Sequence, residues 1–121
     1  MGKTTHGGYQ RLSSNISKLS RKYPLSNAGY FGKKGKNSRE IFSKNPAGAA
    51  REFFRKLGAG GSKSLLEDSP GGRMSTFQGG NHIVYRPNSK SGSPAVVIQI
   101  VDGHGKTQKI HFEHISKKKE N

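Results

Sequence analysis

The chain has no cysteine, so disulfide bonds, thiolate metal sites and a cysteine nucleophile are excluded. Only 29% of its 121 residues are hydrophobic, and no run approaches the roughly 20 apolar residues that span a membrane. The N-terminus lacks the apolar core of a signal peptide. These absences, with 17 glycines, predict one small domain that has a thin core and many loops.

Acidic residues are also scarce: 7 Asp and Glu face 22 Lys and Arg, for a net charge of +15. Such an excess repels itself in a folded domain and indicates a polyanionic partner, nucleic acid before a membrane or heparin-like surface. The single acidic pair, Glu67 and Asp68, has no histidine or further carboxylate close to it in sequence. We therefore expect neither a metal site nor a cofactor.

Three short strands are predicted between residues 82 and 115. Residues 82–86 and 107–115 alternate between apolar and polar side chains, and residues 95–101 form the most apolar run. Asp102 and Gly103 are typical of a hairpin turn between the last two strands. Residues 74–77 predict an additional strand at the edge of the sheet.

The alternation assigns side chains to two faces of this sheet, because successive residues of a strand point in opposite directions. Ile83, Tyr85, Ile110 and Phe112 would share the apolar face. The other face would carry side chains suited to binding and cleaving a phosphodiester: His82, Arg86, Thr107, Lys109 and His111.

Two helices are predicted before the sheet. In residues 9–22 an apolar stripe of Leu12, Ile16 and Leu19 ends before Pro24. The second helix would begin after Asn45 as N-cap, place its apolar stripe on the core and end at Gly58 in left-handed geometry. Its stripe consists of Ala50, Phe53, Phe54 and Leu57.

The predicted fold class is therefore α+β, with N-terminal helices packed on a three- to four-stranded antiparallel sheet. Residues 1–8 would be a disordered segment, residues 9–115 a single domain, and residues 116–121 a basic tail. Residues 25–38 and 59–72 are predicted to be loops.

Basic loop residues form a candidate RNA-binding set. Lys33, Lys34 and Lys36 follow Tyr30 and Phe31, and lysines interleaved with aromatics can pair with phosphates and stack on bases. The alternative is a solvated loop whose aromatics enter the core. Two further lysines in the loops between the strands complete the RNA-binding candidates, namely Lys90 and Lys106.

These residue types fit RNA cleavage without a metal, because the 2′-hydroxyl of RNA is itself the nucleophile. Histidine transfers protons near neutral pH, and lysine and arginine stabilise the charged intermediate. We assign proton transfer to His111, phosphate contact to Lys109 and Arg86, and assistance to His82 or Thr107. Two alternatives remain: a basic module that binds RNA or DNA without cutting it, and a metal-dependent DNase, which the few carboxylates disfavour.

Three blocks, AGAAREFFRKLGAGG, HIVYRPNSKSGSPAVVIQI and GKTQKIHF, resemble the C-terminal ribonuclease toxin domains of bacterial polymorphic toxins. This group includes contact-dependent growth inhibition effectors and spans the barnase, EndoU, colicin and RelE type. The resemblance covers roughly residues 40–113 and implies site roles for Arg86, Lys109 and His111.

The resemblance also implies a substrate and partners. The substrate would be RNA, often tRNA, and the partners a cognate immunity protein and, in some relatives, a translation elongation factor. Because the chain carries a charge of +15, we expect the immunity protein to be acidic. The domain would be secreted or delivered within a larger effector and would act in the cytoplasm of a target bacterium.

Overall fold

A computed structural model describes residues 7–89, 92–103 and 105–118. The disorder predicted for residues 1–6 and the RNA-binding candidate Lys90 lie outside the described residues. Two α-helices, seven strands and a short 3₁₀ helix follow one another: α1 Gly7–Leu19, β1 Lys33–Lys34, β2 Arg39–Ser43, α2 Pro46–Leu57, β3 Ser62–Leu65, β4 Arg73–Thr76, β5 His82–Arg86, β6 Ala95–Gln99, β7 Gln108–His114 and the 3₁₀ helix Ile115–Lys117. The predicted α+β class is confirmed.

The sheet is larger than predicted and is not wholly antiparallel. Its seven strands lie in the order β1-β2-β7-β6-β5-β4-β3. Strands β3 to β7 form an antiparallel meander, whereas β2 pairs with β7 in parallel and β1 pairs with β2 in antiparallel orientation. The expected three to four antiparallel strands are therefore corrected to a seven-stranded mixed sheet.

The additional strands lie where the sequence predicts loops or no strand. All four residues of β3 are exposed, and β1 has only two residues, so neither carries an apolar alternation. The predicted strand at residues 74–77 is present as β4, but β3 covers its outer side, so β4 is an interior strand.

The helices differ from the predictions at their ends. Helix α1 begins at Gly7, so the prediction that residues 7 and 8 are disordered was wrong. The helix ends at Leu19, several residues before Pro24. Asn45 caps α2 as predicted, accepting a hydrogen bond from the Gly48 N–H at 3.1 Å. Gly58 is not left-handed, since its φ is −87°. It instead permits close approach, because a Cβ there would lie 2.8 Å from the Ser75 Cβ.

Helix α2 packs on one face of the sheet, α1 packs on α2, and the core lies between these helices and the sheet. The ring of Phe53 packs against Tyr23, Phe31 and Phe112, at centroid distances of 5.5, 5.1 and 5.3 Å. Helix α1 buries Leu12 against this layer. Neither described α-helix is long and apolar enough to cross a bilayer.

The predicted division of the sheet into two faces is confirmed where the strands are long enough to show it. Ile83 and Tyr85 of β5 and Ile110 and Phe112 of β7 are buried in the core. Their neighbours in sequence point to the opposite face, which neither α-helix covers. We call this the open face and define it by Glu40, Arg86, Ala95, Val97, Lys109 and His111.

Candidate active site

One row of paired residues crosses the open face and brings together side chains that are distant in sequence. Arg86 pairs with Ala95, Ala95 pairs with His111, and His111 pairs with Glu40 of the parallel strand β2. Neighbouring strands are about 4.8 Å apart, so Glu40 and His111 are adjacent and Arg86 lies roughly 10 Å from His111. Lys109 lies on the same face, two residues before His111 on β7.

Hydroxyl groups hold the ring of His111 from one side. Its Nδ1 lies 3.1 Å from the hydroxyl of Ser93 and 3.5 Å from that of Ser89. Ser93 is itself only 8% exposed, so its hydroxyl is a fixed partner. Within the described residues Nε2 makes no hydrogen bond, and it is therefore the nitrogen left for a substrate.

The surroundings of His111 favour its neutral form. Burial lowers the pKa of the ring below its usual value, and the ammonium of Lys109 lowers it further. The carboxylates of Glu113 and Glu40 oppose this shift. A neutral imidazole can accept a proton near neutral pH, and two carboxylates are then in place to stabilise the imidazolium.

The lowered pKa of His111 has a consequence for stability. The unfolded chain takes up a proton at about pH 6.5, whereas the folded chain resists it, so acid should favour unfolding. The loss of stability from this residue should begin near that pH and level off below the lowered folded pKa. Urea unfolding at pH 7.5 and pH 5 should show a smaller pH effect in His111→Gln than in the unchanged chain. Equal effects in both proteins would contradict the assignment.

Arg86 lies on the open face but already has a partner. Its guanidinium Nη1 is 3.3 Å from the Oδ1 of Asp68, which is largely exposed. An exposed ion pair of this kind contributes about 0–1 kcal/mol, so a phosphate can compete with Asp68 for Arg86. Ala95 lies between Arg86 and His111 in the row and is itself buried.

His82 and Thr107, the two residues predicted to assist catalysis, do not lie near His111. The Nδ1 of His82 lies 3.0 Å from the carbonyl of Gly80, at the far end of β5 from Arg86. The Thr107 hydroxyl accepts from the N–H of Ile100 at 3.0 Å and lies 3.3 Å from its carbonyl. Thr107 thus joins β6 to the start of β7, and the geometry gives neither residue a contact with the row that contains His111.

A cleft of about 620 Å³ adjoins the open face at Lys109. Tyr30 lies in it, and its ring is flanked by the guanidinium of Arg39 at 5.2 Å and the ammonium of Lys106 at 6.0 Å. Lys34 and Lys36 also line it. We call it the Tyr30 cleft.

Some of the candidate RNA-binding residues line the Tyr30 cleft and others do not. Arg39 is held in place by hydrogen bonds to the carbonyls of Phe31 and Gly32 at 2.9 and 2.8 Å. Of the two neighbouring aromatics, Tyr30 lines the cleft, whereas Phe31 is fully buried in the core. Lys33 is exposed on β1 but is not part of the lining.

Sequence reasoning missed Glu40 and the two serines that hold His111. Glu40 approaches His111 only through the parallel pairing of β2 with β7, and such a long-range pairing leaves no local pattern. The available signal was the short stretch REIFS, in which a charged residue precedes Ile41 and Phe42. Among the residues that the structure describes, no group of three or more His, Cys, Asp or Glu is arranged to hold a metal ion.

No family model matches the chain, and neither a characterised protein nor a solved structure matches it significantly.

Proposed function

We propose that the chain is a metal-independent endoribonuclease toxin domain that cleaves tRNA or a similar structured RNA. One observation carries the proposal: a half-buried, hydroxyl-held His111 lies beside Glu40 and Lys109 on the helix-free face of the sheet. The Tyr30 cleft adjoins the same face and offers cations and a half-buried aromatic ring to the flanking nucleotides.

The residues can be assigned to the steps of cleavage. The neutral ring of His111 takes the proton of the 2′-hydroxyl, whose oxygen then bonds to the neighbouring phosphorus. Lys109 and Arg86 stabilise the extra negative charge on the phosphorane. The bond to the 5′-oxygen breaks, and that oxygen takes a proton from solvent or from Lys109. Glu40 stabilises the imidazolium that His111 becomes.

This chemistry predicts the products. Total RNA incubated with the purified protein in EDTA should be cleaved, and the fragments should end in 2′,3′-cyclic phosphates, because the attacking oxygen belongs to the RNA. End mapping would identify the bond and the RNA class. A strict requirement for magnesium or zinc would contradict the proposal, and degradation of DNA in magnesium would support the metal-dependent DNase alternative.

A non-catalytic module that binds RNA or DNA is the second candidate, and the Tyr30 cleft favours it. Lys34, Lys36 and Arg39 around one aromatic ring suffice for phosphate and base contacts without any proton transfer. Binding of RNA at low salt with no cleavage over hours would decide for this candidate.

We also propose that an acidic immunity protein covers the open face, and that the domain is delivered within a larger effector into the cytoplasm of a target bacterium. Both proposals follow from the charge of +15 and from the resemblance to polymorphic toxins. A translation elongation factor is a further partner that the resemblance implies.

The association rate with the immunity protein should fall as salt rises, because the Debye length shrinks from about 10 Å at 0.1 M to about 3 Å at 1 M. Stopped-flow measurements across this range would test it. An association rate that does not change with salt would contradict electrostatic steering, and protection of the face that carries the helices would contradict the proposed position.

A further inference from the structure

A second cleft, larger than the Tyr30 cleft at about 780 Å³, lies on the face opposite His111. It opens between α2 and the strands β3, β4 and β5. Tyr85 pairs with Arg73 and Val96, so Tyr85 and Arg73 are on the helix side of the sheet, while the next residue, Arg86, is on the open face. We call it the basic cleft and define it by Arg51, Phe54, Arg55, Lys63, Arg73 and Tyr85.

Positive charge dominates the lining of the basic cleft. Arg51 and Arg55 come from α2, Lys63 from β3 and Arg73 from β4, whereas Glu52 is the acidic residue of the lining. Glu52 lies 3.1 Å from the ammonium of Lys56 and 3.9 Å from the guanidinium of Arg55, so its charge is already compensated. The cleft therefore has an excess of cations for an anionic ligand.

Two of these cations are fixed by the backbone. The ammonium of Lys63 donates to the carbonyl of Gly58 at 3.0 Å, and Nη1 of Arg73 donates to the carbonyl of Gly72 at 3.0 Å. Gly48 and Gly71 also line the cleft.

Aromatic side chains form the floor of the basic cleft. Phe54 and Tyr85 are 7% and 5% exposed, and their rings lie 5.9 Å apart. Tyr85 lines the cleft, and among the described residues its hydroxyl makes no hydrogen bond, so a ligand in the cleft can hydrogen-bond to it.

We infer that the basic cleft is a second RNA subsite that holds one nucleotide, with its phosphate at Arg51 and Arg73 and its base edge at the Tyr85 hydroxyl. The aromatic floor and the phenolic hydroxyl suit the face and the edge of a base, and the surrounding cations suit a phosphate, whereas an acidic peptide has no planar ring to place. The inference rests on the proposed function for its RNA substrate, but binding of a nucleotide does not require cleavage.

Nucleoside 5′-monophosphates are the first probe, titrated into isotope-labelled protein and followed by NMR. Signals of α2, β3 and β4 should shift, and the shifts should be reduced in Arg51→Gln/Arg73→Gln and in Tyr85→Phe. Arg21→Gln, an exposed arginine on the loop after α1, is the matched control and should behave like the unchanged chain. Shifts confined to the open face would overturn the inference, as would tighter binding of hexaglutamate than of any monophosphate.

Kinetics separate this subsite from the active site. For a structured RNA, Arg51→Gln/Arg73→Gln should raise KM roughly tenfold and leave kcat unchanged, because the lost contacts are remote from the reacting phosphate. For a dinucleotide, which cannot reach both faces, neither constant should change. An unchanged KM for structured RNA in a folded double variant would overturn the inference. If the unchanged chain does not cleave RNA, the RNA affinity of the same variants is measured in place of KM. The subsite is then still tested, even though the proposed function has failed.

Discussion

Replacing His111 with alanine should lower the rate of RNA cleavage roughly 10²–10⁴-fold, the range typical of a lost general acid or base. The ring is half-buried, its Nδ1 is held by Ser93, and its lowered pKa leaves it free to accept a proton near pH 7. RNA affinity should change far less, because Lys and Arg supply most of the binding on a surface with a charge of +15. A cleavage assay and a binding titration with labelled RNA would measure both, and circular dichroism would check that the variant is folded.

His114→Ala is the matched control, because His114 is on the same strand but exposed at its end, where its Nδ1 accepts from the Ser116 N–H at 3.0 Å. Its cleavage rate should stay within a few-fold of the unchanged chain. Arg86→Ala and Lys109→Ala should lower both rate and affinity, since each would contact a phosphate. A folded His111→Ala variant that cleaves at the normal rate would remove His111 from the mechanism and direct attention to His82.

Replacing Phe53 with alanine should have the largest effect on stability, a loss of about 3–5 kcal/mol. The ring is 1% exposed and contacts three other aromatic rings: Tyr23 from the loop after α1, Phe31, and Phe112 of β7. The alanine would leave a cavity that none of these three aromatic side chains can fill alone. Small domains are stable by only about 5–15 kcal/mol, so the variant should lose much of its margin.

Urea unfolding of Phe53→Ala beside Phe42→Ala would measure the effect. Phe42 follows the buried Ile41 on β2, points to the other face and is only half-buried, so its removal should cost clearly less. A loss at Phe53 no larger than that at Phe42 would mean that the aromatic cluster does not hold the helices on the sheet.

Patterns among neighbouring residues correctly predicted the features of the fold that depend on local interactions. The alternation in β5 and β7 placed Ile83 and Phe112 in the core and Arg86 and His111 on the open face, because one buried and one exposed face impose a period of two. The stripe of α2 and its cap at Asn45 were equally readable, since an unpaired N–H at a helix start must find an acceptor within a few residues.

What escaped prediction depends on contacts between distant segments. Strand β3 has no buried residue, and it is a strand only because β4 offers a free edge. Gly58 caps the end of α2 as predicted, but not in left-handed geometry, and the close approach of Ser75 is what requires a glycine there. The place of Glu40 in the site required the parallel pairing of β2 with β7, which no neighbouring residue announces.

That pairing also sets the order in which the site can be completed during synthesis. Strand β7 is the last of the described strands to leave the ribosome, yet it lies inside the sheet between β2 and β6. Until it emerges, β2 has no partner on that side, and the row from Glu40 to Arg86 has no centre. Long-range pairing of this kind slows folding, because the loop must close before its contacts form. The row of charged side chains is therefore complete only after nearly the whole described chain has been made.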